Sequence, residues 1–378
     1  MKFFRVFARY VALLKWMKIV VVQDYLRCGG TEMQSISLAA GFRSHGWDAR
    51  LLTLRPGGPL LDRARKLGLD PIVLQPFDFK LNWVHPGLAS ELRKIAPDCV
   101  LLMGRNGNSL GGKILECIPD TKVFGTFRTG RKLTHAYVGT LQSCHHVFTN
   151  SHWGAGRLSD ISGIHSDKVT VIPNGVVHAA DPSQHDARRT SVREQLGTTP
   201  EKLVFLKVAA FRPGKDHAGL LTLFKDLGGD WELWLAGEGP ERKACEQLAD
   251  KLEYSGRVRF LGEQQEVVNL YHGADVAVLN SREESLPNFL VEAQVAGLPV
   301  VARDCAGVAE AFLPGKTGHL VDLEDTRGFL DALQDLADKP HVRQQMGMEA
   351  RSWAQRQFCP SERLTDYIQK IQSLVGKS

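Results

Sequence analysis

Residues 280–301, NSREESLPNFLVEAQVAGLPVV, decide the fold of this chain. The run just before them, DVAVL at 275–279, is short, apolar and rich in valine, which predicts a buried parallel strand. Pro287 suits the first turn of a helix, where its missing N–H is no loss. Glu284 would then lie at the carboxyl end of a strand, and Glu292 inside the following helix. Because ligands of open α/β sheets bind in that crevice, the stretch predicts a ligand site.

Two carboxylates separated by seven residues flank the expected helix start at Asn288. Free backbone N–H groups at a helix N-terminus favour an anion such as phosphate, whereas a carboxylate accepts hydrogen bonds from sugar hydroxyls. The pair, with Leu286 and Pro287 between the acids and Gly-Leu-Pro after them, resembles the Glu-x7-Glu motif of the retaining GT-B glycosyltransferases of family 4. The resemblance implies an α/β fold with two Rossmann-like, doubly wound domains facing a central cleft.

Length and composition fit that expectation. A chain of 378 residues is long enough for two domains of ordinary size. Seven scattered cysteines without a Cys-x-x-Cys pair indicate a reducing compartment and argue against a disulfide framework or a zinc site. No Asp-x-Asp sequence occurs, so we expect no metal site. The net charge of +5 is concentrated at one terminus, which gives little support to nucleic-acid binding.

The first 16 residues are basic and rich in aromatic side chains, and they contain Lys2, Arg5, Arg9 and Lys15 but no acid. Such a segment could lie on an anionic membrane surface. The other interpretation is an extension before a natural start at Met17. We expect a cytoplasmic protein, in contact with the inner face of the membrane if the first interpretation holds.

The first domain is predicted as strands alternating with helices, which is typical of a parallel sheet. The expected strands are 19–22, 50–54, 71–74, 99–102, 122–126 and 146–150. Gly29 and Gly30 follow the first strand and would let backbone approach a ligand closely. With Glu32, this turn is similar to the family's first loop, which meets the donor phosphates and the acceptor. Arg128 stands where many family members carry a histidine, and its guanidinium would supply a fixed positive charge.

The second domain is expected to begin with a strand at 203–208. Arg212 and Lys215 follow in a strand-to-helix turn, and two cations beside a helix N-terminus form an anion site. They resemble the family's Arg and Lys that grip the donor diphosphate. Gly262 ends a run that resembles the strand and loop whose backbone meets the nucleobase. After about residue 320 the chain is predicted to be mostly helical.

These patterns divide the chain into five segments. We expect a basic amphipathic extension at 1–16, an acceptor-side Rossmann-like domain at 17–178 and an interdomain connection at 179–200. A nucleotide-sugar-binding Rossmann-like domain would occupy 201–355, and the helix at 356–378 would pack back on the first domain.

The resemblance implies a retaining, metal-independent hexosyltransferase. Its donor would be a UDP-sugar, or else a GDP-sugar, and its acceptor a lipid-linked or cell-surface glycan. The nucleotide sugar is a substrate, so no cofactor is expected. Arg212 and Lys215 would stabilise the leaving diphosphate, Glu284 would bind the donor sugar, and Glu292 would bind the ribose. The expected donor-binding residues are Gly29, Gly30, Arg212, Lys215, Gly262, Glu284, Leu286, Pro287, Asn288 and Glu292, with Glu32 and Arg128 on the acceptor or donor side.

The sequence is compatible with two other functions. A sugar-nucleotide epimerase of the same fold would use further acids and a histidine in the cleft. A catalytically silent nucleotide-sugar-binding scaffold would recruit a partner instead. Arg128 in place of histidine favours the silent scaffold mildly, whereas Glu284, Glu292 and Lys215 argue against it.

Overall fold

Two parallel sheets organise the computed structural model, which describes residues 17–130, 133–176, 185–254, 256–264 and 266–376. The predicted extension at 1–16 and the first part of the predicted connection lie outside these residues. The first sheet has the order β3-β2-β1-β4-β5-β6-β7, and the second β10-β9-β8-β11-β12-β13. The strands of the first sheet are β1 Lys18–Gln23, β2 Asp48–Thr53, β3 Ile72–Val73, β4 Cys99–Leu102, β5 Lys122–Phe127, β6 His146–Thr149 and β7 Val169–Val171. Those of the second are β8 Leu203–Val208, β9 Trp231–Ala236, β10 Val258–Gly262, β11 Val276–Leu279, β12 Val300–Asp304 and β13 Gly318–Asp322.

Helices cover both faces of each sheet. In the first half they are α1 Gly30–Ser44, α2 Leu61–Lys66, α3 Leu88–Ile95, α4 Gly104–Ser109, α5 Gly111–Cys117, α6 His135–Ser143 and α7 His152–Ser162. In the second they are α8 His185–Leu196, α9 His217–Phe224, α10 Arg242–Lys251, α11 Val268–Gly273, α12 Asn288–Val295, α13 Thr326–Asp338, α14 Pro340–Gln357 and α15 Pro360–Val375. Short 3-10 turns occur at Ser166–Lys168, Pro213–Lys215 and Val308–Ala311.

The strands form because runs of apolar and β-branched residues can be buried on both faces of a parallel sheet. In β1, every residue from Ile19 to Gln23 is buried. The strand order reverses between β1 and β4 in the first sheet and between β8 and β11 in the second. Crevices at such reversals, outside the carboxyl ends of the strands, are the binding positions of doubly wound sheets.

The last helix returns to the first domain. Tyr367, Ile368 and Ile371 of α15 are buried in the same apolar cluster as Ile19 and Phe42. Burial of these side chains stabilises the attachment by the usual hydrophobic contribution. The two domains are therefore joined by the chain at two places.

Two elements differ from the sequence-based expectation. Strand β13 lies at the start of the region predicted to be mostly helical. It is a short strand at the edge of the second sheet, where it pairs with β12. Helix α8 lies within the predicted interdomain connection, yet it packs on the second domain. Arg193 of α8 donates to the Gly273 carbonyl at 2.9 Å and to Asp275 Oδ2 at 2.7 Å.

Within the described part of the chain, no helix combines the length and the apolar character needed to cross a bilayer.

Candidate active site

The turn after β8 presents a cation to the second domain's crevice. Pro213–Lys215 forms one 3-10 turn, and Asp216 then caps α9 by accepting from the Gly219 N–H at 3.1 Å. The side chain of Lys215 pairs with Glu284, which follows β11. Their side chains are only 12% and 10% exposed, so the pair is screened little by water. The structure thus brings together the two residues predicted to hold phosphate and sugar.

Residues of both domains line a cleft that contains Glu284 of this pair, whereas Lys215 is not among the lining residues. The lining residues are Arg128, Thr129, Gly130, Arg212, Pro213, Gly214, Glu283, Glu284, Ser285 and Leu286. A Cβ placed on Gly130 would lie 3.0 Å from the carbonyl oxygen of Glu284, so the two domains approach closely here. Three residues predicted to meet the donor, Arg212, Glu284 and Leu286, share this one cleft with Arg128.

Lys207 lies beneath the cationic turn and is a residue that sequence reasoning missed. It is fully buried in β8, and its ammonium donates to the Lys215 carbonyl and, at 2.5 Å, to Asn280 Oδ1. Asn280 in turn donates to the Asp216 carbonyl at 2.6 Å. Burial, together with the charge of Lys215, lowers the pKa of Lys207 to about 7. A lysine inside an apolar strand was the one signal for it.

The helix after β11 begins as expected at Asn288, with Pro287 as its N-cap. The Asn288 side-chain oxygen accepts a hydrogen bond from Asn174 of the first domain. A Cβ on Gly30 would lie 2.1 Å from Asn288 Nδ2. The absence of a side chain at Gly30 therefore allows another group to approach its backbone closely, and in this structure that group is the Asn288 side chain. Gly29 similarly faces the carboxylate of Glu32.

Glu292 lies on α12 and follows Glu284 in the sequence. The hydroxyl of Tyr271, on α11, donates to Glu292 Oε2 at 2.6 Å. Burial raises the pKa of Glu292, and the hydrogen bond from Tyr271 opposes that rise. Tyr271 was not predicted from the sequence, because a tyrosine in a short helix has no distinctive pattern.

Gly262 ends β10 with a φ of +70°, a left-handed conformation that favours glycine. Its carbonyl accepts from the Gly237 N–H at 2.7 Å, which joins it to the turn after β9. Gly262 therefore lies at the carboxyl edge of the second sheet, where the base contact was predicted.

Arg128 contributes to the cleft and also connects three elements. It donates to Asn174 and to the hydroxyl of Tyr367 on α15. Since Asn174 continues the network to Asn288, Arg128 supports the junction between the domains. Its guanidinium is thus held in place by protein partners while it lines the cleft.

Glu32 belongs to a separate polar group in the first domain. Arg27 lies between Asp24 and Glu32, at 2.9 Å from Asp24 Oδ2 and 3.7 Å from Glu32 Oε1. Asn106 donates to the same Asp24 oxygen at 2.7 Å. Burial raises the pKa of Glu32 from 4.5 to about 7. Glu32 is not among the residues that line the cleft around Glu284.

Further contacts hold the domains face to face. Ser285 donates to Asn150 Oδ1 at 2.9 Å. Glu310 of the second domain accepts from the backbone N–H groups of His152 at 2.6 Å and Trp153 at 2.7 Å. A carboxylate from one domain therefore caps the N-terminus of α7 in the other. Across the described ranges, no three His, Cys, Asp or Glu side chains converge as a metal-binding group.

Two doubly wound domains that face each other across such a cleft define the GT-B class, as predicted. Two family models match the chain, Glycosyltransferase Family 4 over residues 28–179 and Glycosyl transferases group 1 over residues 188–353. The protein belongs to this glycosyltransferase family, which confirms the assignment made from the Glu-x7-Glu stretch.

Curated relatives match over about half of their length. The lipopolysaccharide core biosynthesis glycosyltransferase LpsD of Rhizobium meliloti (strain 1021) is 30% identical over 185 residues, 49% of this chain and 54% of the relative. The N-acetyl-alpha-D-glucosaminyl L-malate synthase of Bacillus anthracis is 29% identical over 180 residues, 47% of each chain.

Solved structures share the fold over nearly the whole chain. Anabaena Alr3699/HepE in complex with UDP superposes with a TM-score of 0.79 at 20% identity, covering 94% of this chain and 100% of that one. Sucrose-phosphate synthase from Thermosynechococcus elongatus superposes with a TM-score of 0.80 at 18% identity, covering 96% and 100%. These similarities confirm the GT-B fold.

Proposed function

We propose that this protein is a retaining glycosyltransferase that uses neither a metal ion nor a cofactor and transfers a sugar from a UDP-sugar to a glycan. The observation that carries the proposal is the poorly exposed Lys215–Glu284 pair, because its Glu284 lines a cleft formed by both domains. A cation for phosphate and a carboxylate for sugar hydroxyls are thereby adjacent, as a nucleotide sugar requires.

Lys215, Glu284 and Arg212 each have a defined role in this mechanism. When the donor binds, phosphate oxygens replace the Glu284 carboxylate as partners of Lys215, and Glu284 turns to the sugar hydroxyls. The bond from the sugar's anomeric carbon to the phosphate oxygen breaks, and the acceptor oxygen bonds to that carbon on the same face. The acceptor proton passes to the leaving phosphate. Arg212 and Lys215 stabilise the negative charge that the diphosphate gains, in place of a metal ion.

The nucleotide end of the donor would extend toward α12 and β10. Tyr271 binds one carboxylate oxygen of Glu292, and the other oxygen would accept from the ribose hydroxyls. The backbone at Gly262 would contact the base. UDP is the preferred nucleotide because a structural neighbour was solved with UDP and with UDP-glucose.

The acceptor side would be formed by the first domain, with Glu32 and Arg128 as candidate contacts. A lipid-linked or cell-surface glycan is supported by the relative named for lipopolysaccharide core biosynthesis. All seven cysteines are free in the structure, which is compatible with cytoplasmic synthesis of such a precursor.

The test is turnover of a panel of UDP-sugars with glycan acceptors in the presence of EDTA, followed by NMR of the product's anomeric proton. The proposal expects acceptor-dependent release of UDP and a product with the donor's anomeric configuration. Binding without any turnover would indicate the silent scaffold. The observation that supports the scaffold is that Arg128 donates its hydrogen bonds to Asn174 and Tyr367 of the protein. Conversion of the donor sugar without transfer would indicate an epimerase.

A further inference from the structure

An exposed apolar loop follows β3 at the outer edge of the first sheet. Phe77, Phe79, Leu81 and Trp83 are 64%, 36%, 40% and 73% exposed. Among the residues that the structure describes, six of the seven exposed large apolar side chains fall between residues 67 and 83, and the seventh is Met348 in the second domain. A concentration of this kind marks an interaction surface.

The loop is held in this shape by its polar residues, which point inward. Gln75 is fully buried, and its amide donates to the carbonyls of Leu81 at 2.7 Å and Val84 at 2.6 Å. Asp78 accepts two hydrogen bonds from Arg55, at 2.7 and 2.8 Å. The apolar side chains are therefore directed outward by a built framework. The whole connection between β3 and α3, residues 74–87, has the length at which an ordered loop is usually functional.

The loop lies near the polar group of the first domain that contains Asp24 and Glu32. It leaves the carboxyl end of β3, where the Gln75 N–H still bonds to the Leu54 carbonyl at 3.0 Å. Its Arg55 anchor stacks over the ring of Tyr25 at 4.4 Å. Tyr25 directly follows Asp24, a member of the polar group that contains Glu32. The apolar surface therefore borders the region where the acceptor is proposed to bind.

The charge on this surface is positive. Arg55 neutralises Asp78, which leaves the exposed Lys80 as the unmatched charge of the loop. Burial and the charge of Lys113 lower the pKa of His85. The exposed Lys113 is therefore close to His85 and is a second ammonium beside the loop. Exposed aromatic side chains with neighbouring lysines, here Lys80 and Lys113, suit the interface of an anionic bilayer.

The exposed area argues against a protein partner. Taking about 200 Å² for each fully exposed side chain, the four residues present roughly 400 Å², half of the ~800 Å² that each partner buries in a stable complex. Shallow insertion into a bilayer needs no such area, because each buried aromatic ring contributes by itself.

We propose that the loop at residues 76–86 is a membrane-docking surface that seats the first domain on an anionic bilayer. The predicted extension at 1–16 is a different segment and is not required for this contact. If the proposed function holds, docking would bring the cleft to an acceptor anchored in the bilayer. Docking itself does not depend on sugar transfer.

The test measures flotation of the full chain with vesicles of equal parts phosphatidylglycerol and phosphatidylcholine, without donor or acceptor. Replacing Phe77 and Trp83 together by serine should lower the partition coefficient about tenfold. Trp83→Phe should retain binding, and Lys80→Glu should weaken binding to these vesicles but not to pure phosphatidylcholine. The matched control is Met348→Ser, which removes an equally exposed apolar side chain from the second domain and should change nothing.

Three results would overturn the proposal. The wild-type chain could fail to float with either vesicle, or the double variant could float as well as wild type, which would assign binding to another segment. Analytical ultracentrifugation could instead show a wild-type dimer that the double variant abolishes, which would make the loop a contact with a second copy. Because no sugar donor is present, none of these outcomes depends on the proposed activity.

Discussion

At the scale of single residues, the Lys215–Glu284 pair has the largest predicted effect on activity. Lys215→Ala should lower kcat by about 10²- to 10³-fold, because a preorganised charge on the leaving diphosphate is lost. The measurement is UDP release at saturating donor. The fold should remain intact, since the turn is also held by Lys207 and Asn280.

The matched control for this change is Lys225→Ala, which removes an exposed lysine just after α9 in the same domain. It should leave kcat unchanged. Near-wild-type turnover by Lys215→Ala would remove Lys215 from the phosphate site.

Glu32 should give the first domain a measurable pH dependence. Its pKa is raised from 4.5 to about 7, so the folded state holds the proton more tightly than the unfolded state does. The stabilisation is complete below pH 4.5 and is lost as the pH rises through about 7, by about 3 kcal/mol. The unfolding midpoint of wild type should therefore fall relative to that of Glu32→Gln between pH 5 and 7.5.

Glu116→Gln serves as the comparison, because Glu116 is an exposed carboxyl of the same domain. Its difference from wild type should stay constant over this pH range. Parallel curves for wild type and Glu32→Gln would show that Glu32 titrates normally.

The sequence was sufficient to predict where charged residues follow the strands, while their roles in binding stay predictions. Arg212, Lys215 and Glu284 are charged groups that follow predicted strands, at the edge of the sheet where ligands bind. The structure places Lys215 beside Glu284 and places Arg212 in the same cleft as Glu284. Lys207 and Tyr271 have partners that are distant in the chain, so only the folded structure shows their hydrogen bonds.

At the scale of elements, the turn at Pro213–Lys215 depends on Lys207 as a positioning residue. Lys207→Met should leave the turn without its support from β8. The donor KM should rise and kcat should fall together by about tenfold, because the phosphate contacts are misplaced.

The unfolding midpoint separates this effect from general destabilisation. Lys207→Met removes a buried charge while it leaves the Asn280 oxygen unpaired, so the two contributions oppose each other and stability should change by less than about 2 kcal/mol. Leu206→Ala, a cavity in the same strand, should lower stability by about 2–5 kcal/mol without a selective rise in KM. Unchanged kinetics for Lys207→Met would contradict the positioning role.

Most elements were predictable because short apolar strands alternate with helical runs. Strand β13 was not, because burial does not alternate along its five residues: Gly318 and Val321 are buried, and the two residues between them are half-buried. Helix α8 corresponds to a charged, helix-like run that was predicted within the interdomain connection, but its packing on the second domain was not predicted. Its contacts to Gly273 and Asp275 involve residues some 80 positions away, which a local pattern does not contain.

At the scale of the whole molecule, Glu310 joins the domains by capping α7. Glu310→Ala should destabilise the face-to-face arrangement of the two domains by a free energy of about 1 kcal/mol, which is the usual effect of a lost helix cap. Small-angle scattering should then show a larger radius of gyration without donor, and saturating donor should restore the wild-type value.

Glu324→Ala is the control for this prediction, since Glu324 is an exposed carboxylate of the same domain that pairs with Arg282. Its scattering should match wild type. A Glu310→Ala variant with an unchanged radius of gyration would show that the cap does not contribute to closure.

Contacts between the domains lie beyond what the sequence could predict. The pairs Asn174–Asn288 and Asn150–Ser285 join residues more than 100 positions apart, and they depend on how two separately predicted sheets face each other. Arg128 illustrates the limit. The sequence marked it as an unexpected cation, whereas the structure shows it bound to Asn174 and Tyr367.

The most direct test of the central claim is a thermal-shift titration of the wild-type chain with UDP-sugars, GDP-sugars and free nucleotides, each with and without EDTA. Ligand that binds the folded state raises the unfolding midpoint in proportion to RT ln(1 + [L]/Kd). We expect a clear shift with a UDP-sugar that EDTA does not change and that Lys215→Ala reduces. No shift with any nucleotide sugar, or a shift that EDTA abolishes, would contradict it.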